Sequence, residues 1–330
     1  MTPLYNARGN LYTVASPQTL RDLGLELPAS AAQAAATHTA WAAQAVSALC
    51  CWPAGQPPVG AKEHRCDGLL VGPFEAGAPF DLLIVNTDGT LAERSGNGLT
   101  IFAQALFDQG LATATAPFTL RVHHDKPGSP APVTAAPAEH AATQGFWLDL
   151  GQPTFGPQAV NANPADVQRN GVDAATWRVE RLGAVEPQWT QSVFVNLGNP
   201  HCVTLLAEAQ HLPGFAQLLE PGLHASLATI AFAQGEQGAG VPCPAGINLQ
   251  WACLVAPGVL EARVFERGEG ATASSGTSAS AVASAAWRAG WIDAGLVQVC
   301  MPGGTAPVRL VEQEGVLQGV ALFGTARRVS

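Results

Sequence analysis

Two short stretches carry the residue types that could do chemistry. Ser95-Gly96-Asn97-Gly98 opens one helically spaced segment, and Ser275-Gly276-Thr277-Ser278 opens another. In each, a Ser-Gly pair stands where a helix is predicted to begin, so first-turn N–H groups and the positive end of the helix dipole face whatever lies ahead. Two such ends facing each other would grip a carboxylate. Taken singly, either serine is an ordinary N-cap. The occurrence of two, each preceded by a charged turn, is what points to a ligand.

The elements that must position these ends are readable from periodicity. Leu99, Phe102, Leu106 and Phe107 fall at helical spacing before Gly110; Ala279, Val282, Ala283, Ala286 and Trp287 do so before Gly290. The similar entries form a weak internal repeat. Apolar runs at 81–86, Ser192–Asn196 and 262–266 read as strands that end at polar residues and lead into turns. Asn86 is followed by Thr-Asp-Gly-Thr and Asn196 by Leu-Gly-Asn-Pro-His, so both strands deliver an asparagine into a tight loop, where sites commonly lie. Strands are also predicted at Phe118–Val122 and 145–150, whereas 126–144, rich in Pro, Ala and Thr, reads as a loop or irregular hairpin.

Composition sets the frame. A chain of 330 residues, 47% hydrophobic and 12% charged, fits a compact globular protein of two domains with a cleft between them as the natural place for a site. Sixteen Lys and Arg stand against 25 Asp and Glu, a net charge of -9, with no basic stripe to track a phosphate backbone; nucleic acid is not an expected partner. The opening MTPLYNARGNLYTV has no basic segment followed by an apolar one, so a cytoplasmic enzyme is expected. Residues 27–61 carry no charge, but Gln33, His38, Thr39, Gln44 and Ser47 interrupt them, which favours a soluble helix after Ser30 over a membrane span.

Seven cysteines, odd in number and without a CxxC pair, support neither a zinc site nor a disulfide framework and read as small buried hydrophobes in a reducing compartment. There is no Walker-type loop, no GxGxxG after a strand and no HExxH. Lys62 and Lys126 lie in predicted loops, which leaves a pyridoxal phosphate lysine hard to place. No cofactor and no metal are expected.

At this point the motifs resemble a known family. NTDGTLAERSGNG at 86–98 and ERGEGATASSGT at 266–277 resemble the two active-site segments of the diaminopimelate epimerase family. Between them, GNPHCV at 198–203 resembles its GNPH loop and GIN at 246–248 its asparagine-bearing strand. GNLY at 9–12 and DGLL at 67–70 resemble its early turns. Order and rough spacing hold over nearly the whole chain. The resemblance implies an α/β (α+β) fold of two pseudo-symmetric halves, each a curved mixed sheet around a central helix, with the last strand, for which 321–328 fits, returning to the first half. It places the halves at 1–116 plus 319–330 and at 117–318, with the site in the cleft between them, and implies a homodimer.

The same resemblance implies roles. Asn86, Asn199, Asn248 and Arg267 would hold the distal amino-acid end of diaminopimelate, while Asn10, Gly96, Asn97, Glu266, Gly276 and Thr277 surround the reacting end. The residue types agree: Arg267 can fork onto a carboxylate, asparagines donate and accept, and Glu266 can accept from an ammonium. Each also has a plain structural reading, Asn86 and Asn199 as turn formers and Glu266 with Arg267 as a surface pair. The implied activity is cofactor-independent conversion of LL- to meso-diaminopimelate by two-base proton transfer, part of lysine biosynthesis.

The family moves the proton with two cysteines; here those positions read Ser95 and Ser275. A thiol titrates near 8.5 and so reaches both protonation states, whereas a serine hydroxyl is a far weaker acid and needs a helper. No helper is evident beside either serine. His201 and Cys66 are candidate substitute bases, each with a structural alternative as a packed histidine and a buried thiol. The second motif departs further, with Ser278, Ser280 and Ala271 where the family usually has Gly, Cys and Glu. Three readings follow: an active epimerase of an amino acid; a tautomerase, allylic isomerase or dehydratase acting on a carboxylic acid; or a non-catalytic amino-acid binder.

Overall fold

Strand residues of alternate parity point to opposite faces of a sheet, and in this chain the two faces serve different helices. The computed structural model describes residues 2–52, 57–58, 63–171, 175–235 and 237–329. It divides into two compact units, Met1–Asp149 with Phe323–Ser330, and Leu150–Leu322.

The first unit opens with the antiparallel pair β1 (Leu4–Ala7) and β2 (Asn10–Ala15). The short helices α1 (Pro17–Asp22), α2 (Ala31–Ala36) and α3 (Ala42–Cys50) follow. Strand β3 (Gly68–Val71) runs parallel to β2, and β4 (Phe80–Asn86) is antiparallel to β3. Helix α4 (Gly96–Asp108) comes next, then β5 (Phe118–Val122), parallel to β4, and the hairpin β6 (Ala131–His140) and β7 (Thr143–Asp149). Ala15, Leu69, Val71, Leu83 and Val85 form one core with Ala34, Trp41, Ala45 and Leu49 of α2 and α3 and the turn between them. The alternate positions, Tyr12 and Leu70 among them, face the start of α4.

One expectation holds here and another changes. The uncharged stretch folds as α2, capped by Ser30 as predicted, then a turn at His38–Ala40, then α3; none of the described helices is long and apolar enough to cross a membrane. Its later part, with Lys62, falls partly outside the described residues. Residues 126–144 contain a regular strand: β6 pairs with β5 on one side and β7 on the other, with Pro132 opposite Arg121 and Pro137 opposite Phe146. Ladder pairing on both edges outweighs the weak strand propensity of Pro and Ala.

The second unit adds β8 (Thr154–Phe155), β9 (Val167–Arg169), β10 (Trp177–Val179), α5 (Glu180–Val185), β11 (Ser192–Asn196) and β12 (Pro200–Leu205). After α6 (Phe215–Leu218) and α7 (Pro221–Ala231) come β13 (Asn248–Ala256), β14 (Val259–Glu266), β15 (Gly270–Thr272) and α8 (Gly276–Arg288). Strands β16 (Gly295–Met301), β17 (Gly304–Gln313) and β18 (Val316–Gly324) follow, and β19 (Arg327–Arg328) returns to pair with β1. The sheet mixes parallel pairs (β12 with β13, β14 with β16) with antiparallel ones, and β11, β12, β13, β14, β16 and β17 all touch α8, so it wraps that helix. Its other face packs Phe194, Leu249, Trp251 and Phe265 against Leu182, Leu227 and Ile230 of α5 and α7.

The weak sequence repeat is a close repeat of geometry. Helices α4 and α8 each have 13 residues, and their caps Ser95 (φ -143, ψ 117) and Ser275 (φ -148, ψ 124) share one extended conformation. Thr100 and Ser280 both donate a hydroxyl to the carbonyl four residues back, at Gly96 and Gly276. Both helices end at a left-handed glycine, Gly110 (φ 71) and Gly290 (φ 73), with the following N–H, of Leu111 or Trp291, bonded five residues back; only glycine adopts that turn without strain.

The units divide later than the boundary expected near 116. Residues 117–149 lie with the first unit because β5 runs beside β4 and carries β6 and β7 with it, and the return to that unit begins at Phe323. At the return, Gly324 lies so close to α4 that an added Cβ would collide with the Thr100 side chain. Gly324→Ala is therefore expected to destabilise the protein by about 1–3 kcal/mol in urea unfolding, and adding Thr100→Ala should recover part of that loss.

Candidate functional site

In the first unit, alternation along β2 sends Asn10 and Tyr12 to the face that carries the start of α4. The Asn97 amide donates to Asn10 Oδ1, and the Tyr12 hydroxyl lies 3.4 Å from Ser95 Oγ. Ser95 Oγ accepts the Gly98 N–H at 3.1 Å. Asn97 is nearly fully buried, Ser95 half-buried. Asn86 ends β4 in register with Gly68, which is itself in register with Tyr12. Its amide donates to Thr90 Oγ1 at 3.0 Å and its N–H bonds the Thr90 carbonyl, so it also closes the turn after the strand.

In the second unit, Ser275 Oγ accepts the Ser278 N–H at 3.3 Å. A continuous polar chain runs behind this helix start. Asn199 Nδ2 donates to Thr277 Oγ1 (3.4 Å), Asn199 Oδ1 meets His201 Nε2 (2.8 Å), and Gln250 Nε2 donates to both His201 Nδ1 (3.0 Å) and Ser278 Oγ (3.0 Å). Because Gln250 donates to Nδ1, the His201 proton sits on Nε2 and is given to Asn199. Asn248 joins two loops, donating to the Pro200 carbonyl at 3.0 Å and accepting the Arg267 N–H at 2.9 Å. Arg267 also donates to the Ala245 carbonyl at 3.3 Å, and Glu266 ends β14 opposite Gly270.

These contacts decide between the readings of the two candidate substitute bases. His201 is fully buried, and that burial, reinforced by the Arg267 charge and only partly opposed by the Gln250 hydrogen bond, holds its pKa down at about 3. It is a neutral strut that orients Asn199 and has no solvent-fed proton to exchange. Cys66 packs beside Thr13 (3.5 Å) and Cys50. The hydrogen bond with Cys50 draws its thiol down against the opposing effect of burial. Thr13 belongs to the parity of β2 that faces α3, bonding the Leu49 carbonyl, so Cys66 lies across the sheet from Ser95. All seven cysteines are free, and Cys50, Cys66, Cys202, Cys243 and Cys253 are buried.

Each unit thus gathers part of the expected set: Asn10, Ser95, Gly96 and Asn97 in the first, Asn199, Asn248, Arg267, Ser275, Gly276 and Thr277 in the second. Two residues escaped the sequence reading. Gln250 had a signal, a second amide in the otherwise apolar strand NLQWACLVA, two residues after Asn248 and so on the same face. Tyr12 had only its parity with Asn10.

The fold defines a class first. It overlays a solved hydroxyproline epimerase from Agrobacterium vitis with a TM-score of 0.60, covering 100% of this chain and 89% of that one at 11% identity. A family model for diaminopimelate epimerase matches residues 193–329. A diaminopimelate epimerase from Ectopseudomonas mendocina is 30% identical over 273 residues, 80% of this chain and 82% of that protein. One from Nostoc, diaminopimelate epimerase 2, is 29% identical over 248 residues, 74% of each. The chain belongs to the diaminopimelate epimerase family.

The neutral histidine has a pH consequence. Its folded pKa lies below the value near 6.5 of an unfolded chain, so below about pH 6.5 the unfolded state binds a proton that the folded state refuses. Stability should therefore fall as pH drops from about 6.5 toward 3, with a slope from this group of roughly 1 kcal/mol per pH unit. Urea unfolding of His201→Gln, compared with the parent at several pH values, should show a shallower dependence over that window.

Proposed function

We propose that the protein is a cofactor-independent amino-acid epimerase acting on diaminopimelate, with Ser95 and Ser275 in the proton-transfer positions. The observation that carries this reading is the matched pair of helix starts: one serine per unit, in the same backbone conformation, each hydroxyl held by the N–H three residues on. Epimerisation needs a proton removed from one face of the α-carbon and another delivered to the opposite face. A pair of equivalent hydroxyls suits such a reversible reaction, in which either group acts first.

The remaining candidates divide by charge and direction. First-turn N–H groups at a helix start of this kind suit a carboxylate and stabilise the charge that builds there as the α-proton leaves. Asn86, Asn199, Asn248 and Arg267 serve the distal amino-acid end, with Asn248 also tying the Arg267 turn to the Asn199 loop. Glu266 accepts from the substrate ammonium, and Asn10 with Asn97 walls the reacting end. The reading extends to a cytoplasmic homodimer in lysine biosynthesis, as family membership suggests.

The test is exchange of the α-hydrogen of diaminopimelate in heavy water. The parent protein should incorporate deuterium, and Ser95→Ala or Ser275→Ala should each lower the rate by about a hundredfold or more. Each variant loses an N-cap worth about 1 kcal/mol and should stay folded. Exchange unaffected by both substitutions, or absent from the parent, would contradict the reading.

A further inference from the structure

A serine placed where proton transfer is needed lacks an acid of useful strength, and in the first unit one stands beside it. The chain has two tyrosines. Tyr5 is committed elsewhere: its hydroxyl donates to Asp108 at 3.0 Å, and burial together with that carboxylate pushes its phenol up to about 12. Tyr12 instead brings its hydroxyl to 3.4 Å from Ser95 Oγ, at the positive end of α4. That separation is longer than the roughly 2.8 Å of a strong O–H···O bond, as catalytic contacts often are before substrate tightens them.

The ring is held in place. Tyr12 is 8% exposed, and its ring lies over Gly68 so closely that an added Cβ there would fall 2.8 Å from Tyr12 Cε1 and 2.7 Å from the Val85 carbonyl oxygen. Any larger residue at 68 would displace the phenol. Ser95 Oγ also accepts the Gly98 N–H, and in the contact with Tyr12 either hydroxyl can donate, so the serine can give its proton to the phenol oxygen. An ordinary phenol titrates near 10, much closer to a thiol's 8.5 than an alcohol comes.

We infer that Tyr12 acts through Ser95, orienting its hydroxyl and accepting its proton as Ser95 takes the α-hydrogen. This rests on the epimerase reading above. In the step, the Cα–H bond breaks and its proton passes to Ser95 Oγ, while the Ser95 proton passes to the Tyr12 phenolate oxygen, which becomes a phenol. The electron pair stays on the substrate carbon, so one negative charge moves from Tyr12 to the substrate and no proton is gained or lost. The reverse step returns the proton along the same path.

The experiment compares α-deuterium exchange into diaminopimelate, as a function of pH, for the parent, Tyr12→Phe, Ser95→Cys and the double variant. Phenylalanine keeps the ring over Gly68, so the fold is retained. Tyr12→Phe should lower kcat by about a hundredfold with KM within about twofold, and should remove the rise of kcat toward alkaline pH. In the Ser95→Cys background the same change should cost less than about threefold, because a thiol needs no partner. Unchanged exchange in Tyr12→Phe overturns the inference, as does an equal loss in both backgrounds, which marks a merely structural ring. Exchange by Ser95→Cys but not by the parent overturns it together with the reading that the parent's serines turn the substrate over. Exchange by none of the four removes that reading itself.

Discussion

The structure depends on the start of a helix that is buried and still left usable. An α-helix begins with N–H groups that have no partner within the helix, and a capping oxygen satisfies one of them. In α4 and α8 that oxygen belongs to Ser95 and Ser275. The rest of each unit fixes where the cap stands: strands pack against the helix, Thr100 and Ser280 bond back to the first glycine of each turn, and Gly324 lets the returning chain close over α4. The capping bond also suits chemistry. An N–H aimed at Oγ stabilises negative charge there, and the same bond leaves the hydroxyl proton free to move.

The two units reach this geometry with different supports. In the first, strand residues address the helix start directly, Asn10 to Asn97 and Tyr12 to Ser95. In the second, a buried chain from Thr277 through Asn199, His201 and Gln250 returns to Ser278. Ser278 occupies the position of Gly98, and its hydroxyl is accommodated because Gln250 donates to it. A neutral His201 suits this chain: a charged imidazolium would place an unpaired cation in a fully buried position close to Arg267. The repeat therefore conserves the backbone of the helix start, while the side chains behind it differ.

Much of the fold was readable from local pattern. The runs at Ser192–Asn196 and Phe118–Val122 became strands with those bounds, and Ser30, Ser95 and Ser275 all cap helices. Periodicity and capping are properties of neighbouring residues, so a sequence displays them. It misled at 126–144, where pairing with β5 and β7 makes a strand from Pro and Ala, and at the unit boundary, which long-range pairing of β4 with β5 moves to 149. The site followed the same rule. The helix starts and loop asparagines showed in motifs, whereas Tyr12 meets Ser95 across 83 positions and Gln250 meets Ser278 across 28, and no local pattern reports such contacts.

The central claim is that each of the two serine-capped helix starts is a ligand-binding element. It is tested most directly by titrating the isotopically labelled protein with diaminopimelate and following backbone amide resonances. The account predicts that the amides of Gly96, Asn97 and Gly98 shift on titration, and that those of Gly276, Thr277 and Ser278 shift as well. Movement of only one of these groups, or of neither while ligand binds elsewhere, would contradict it.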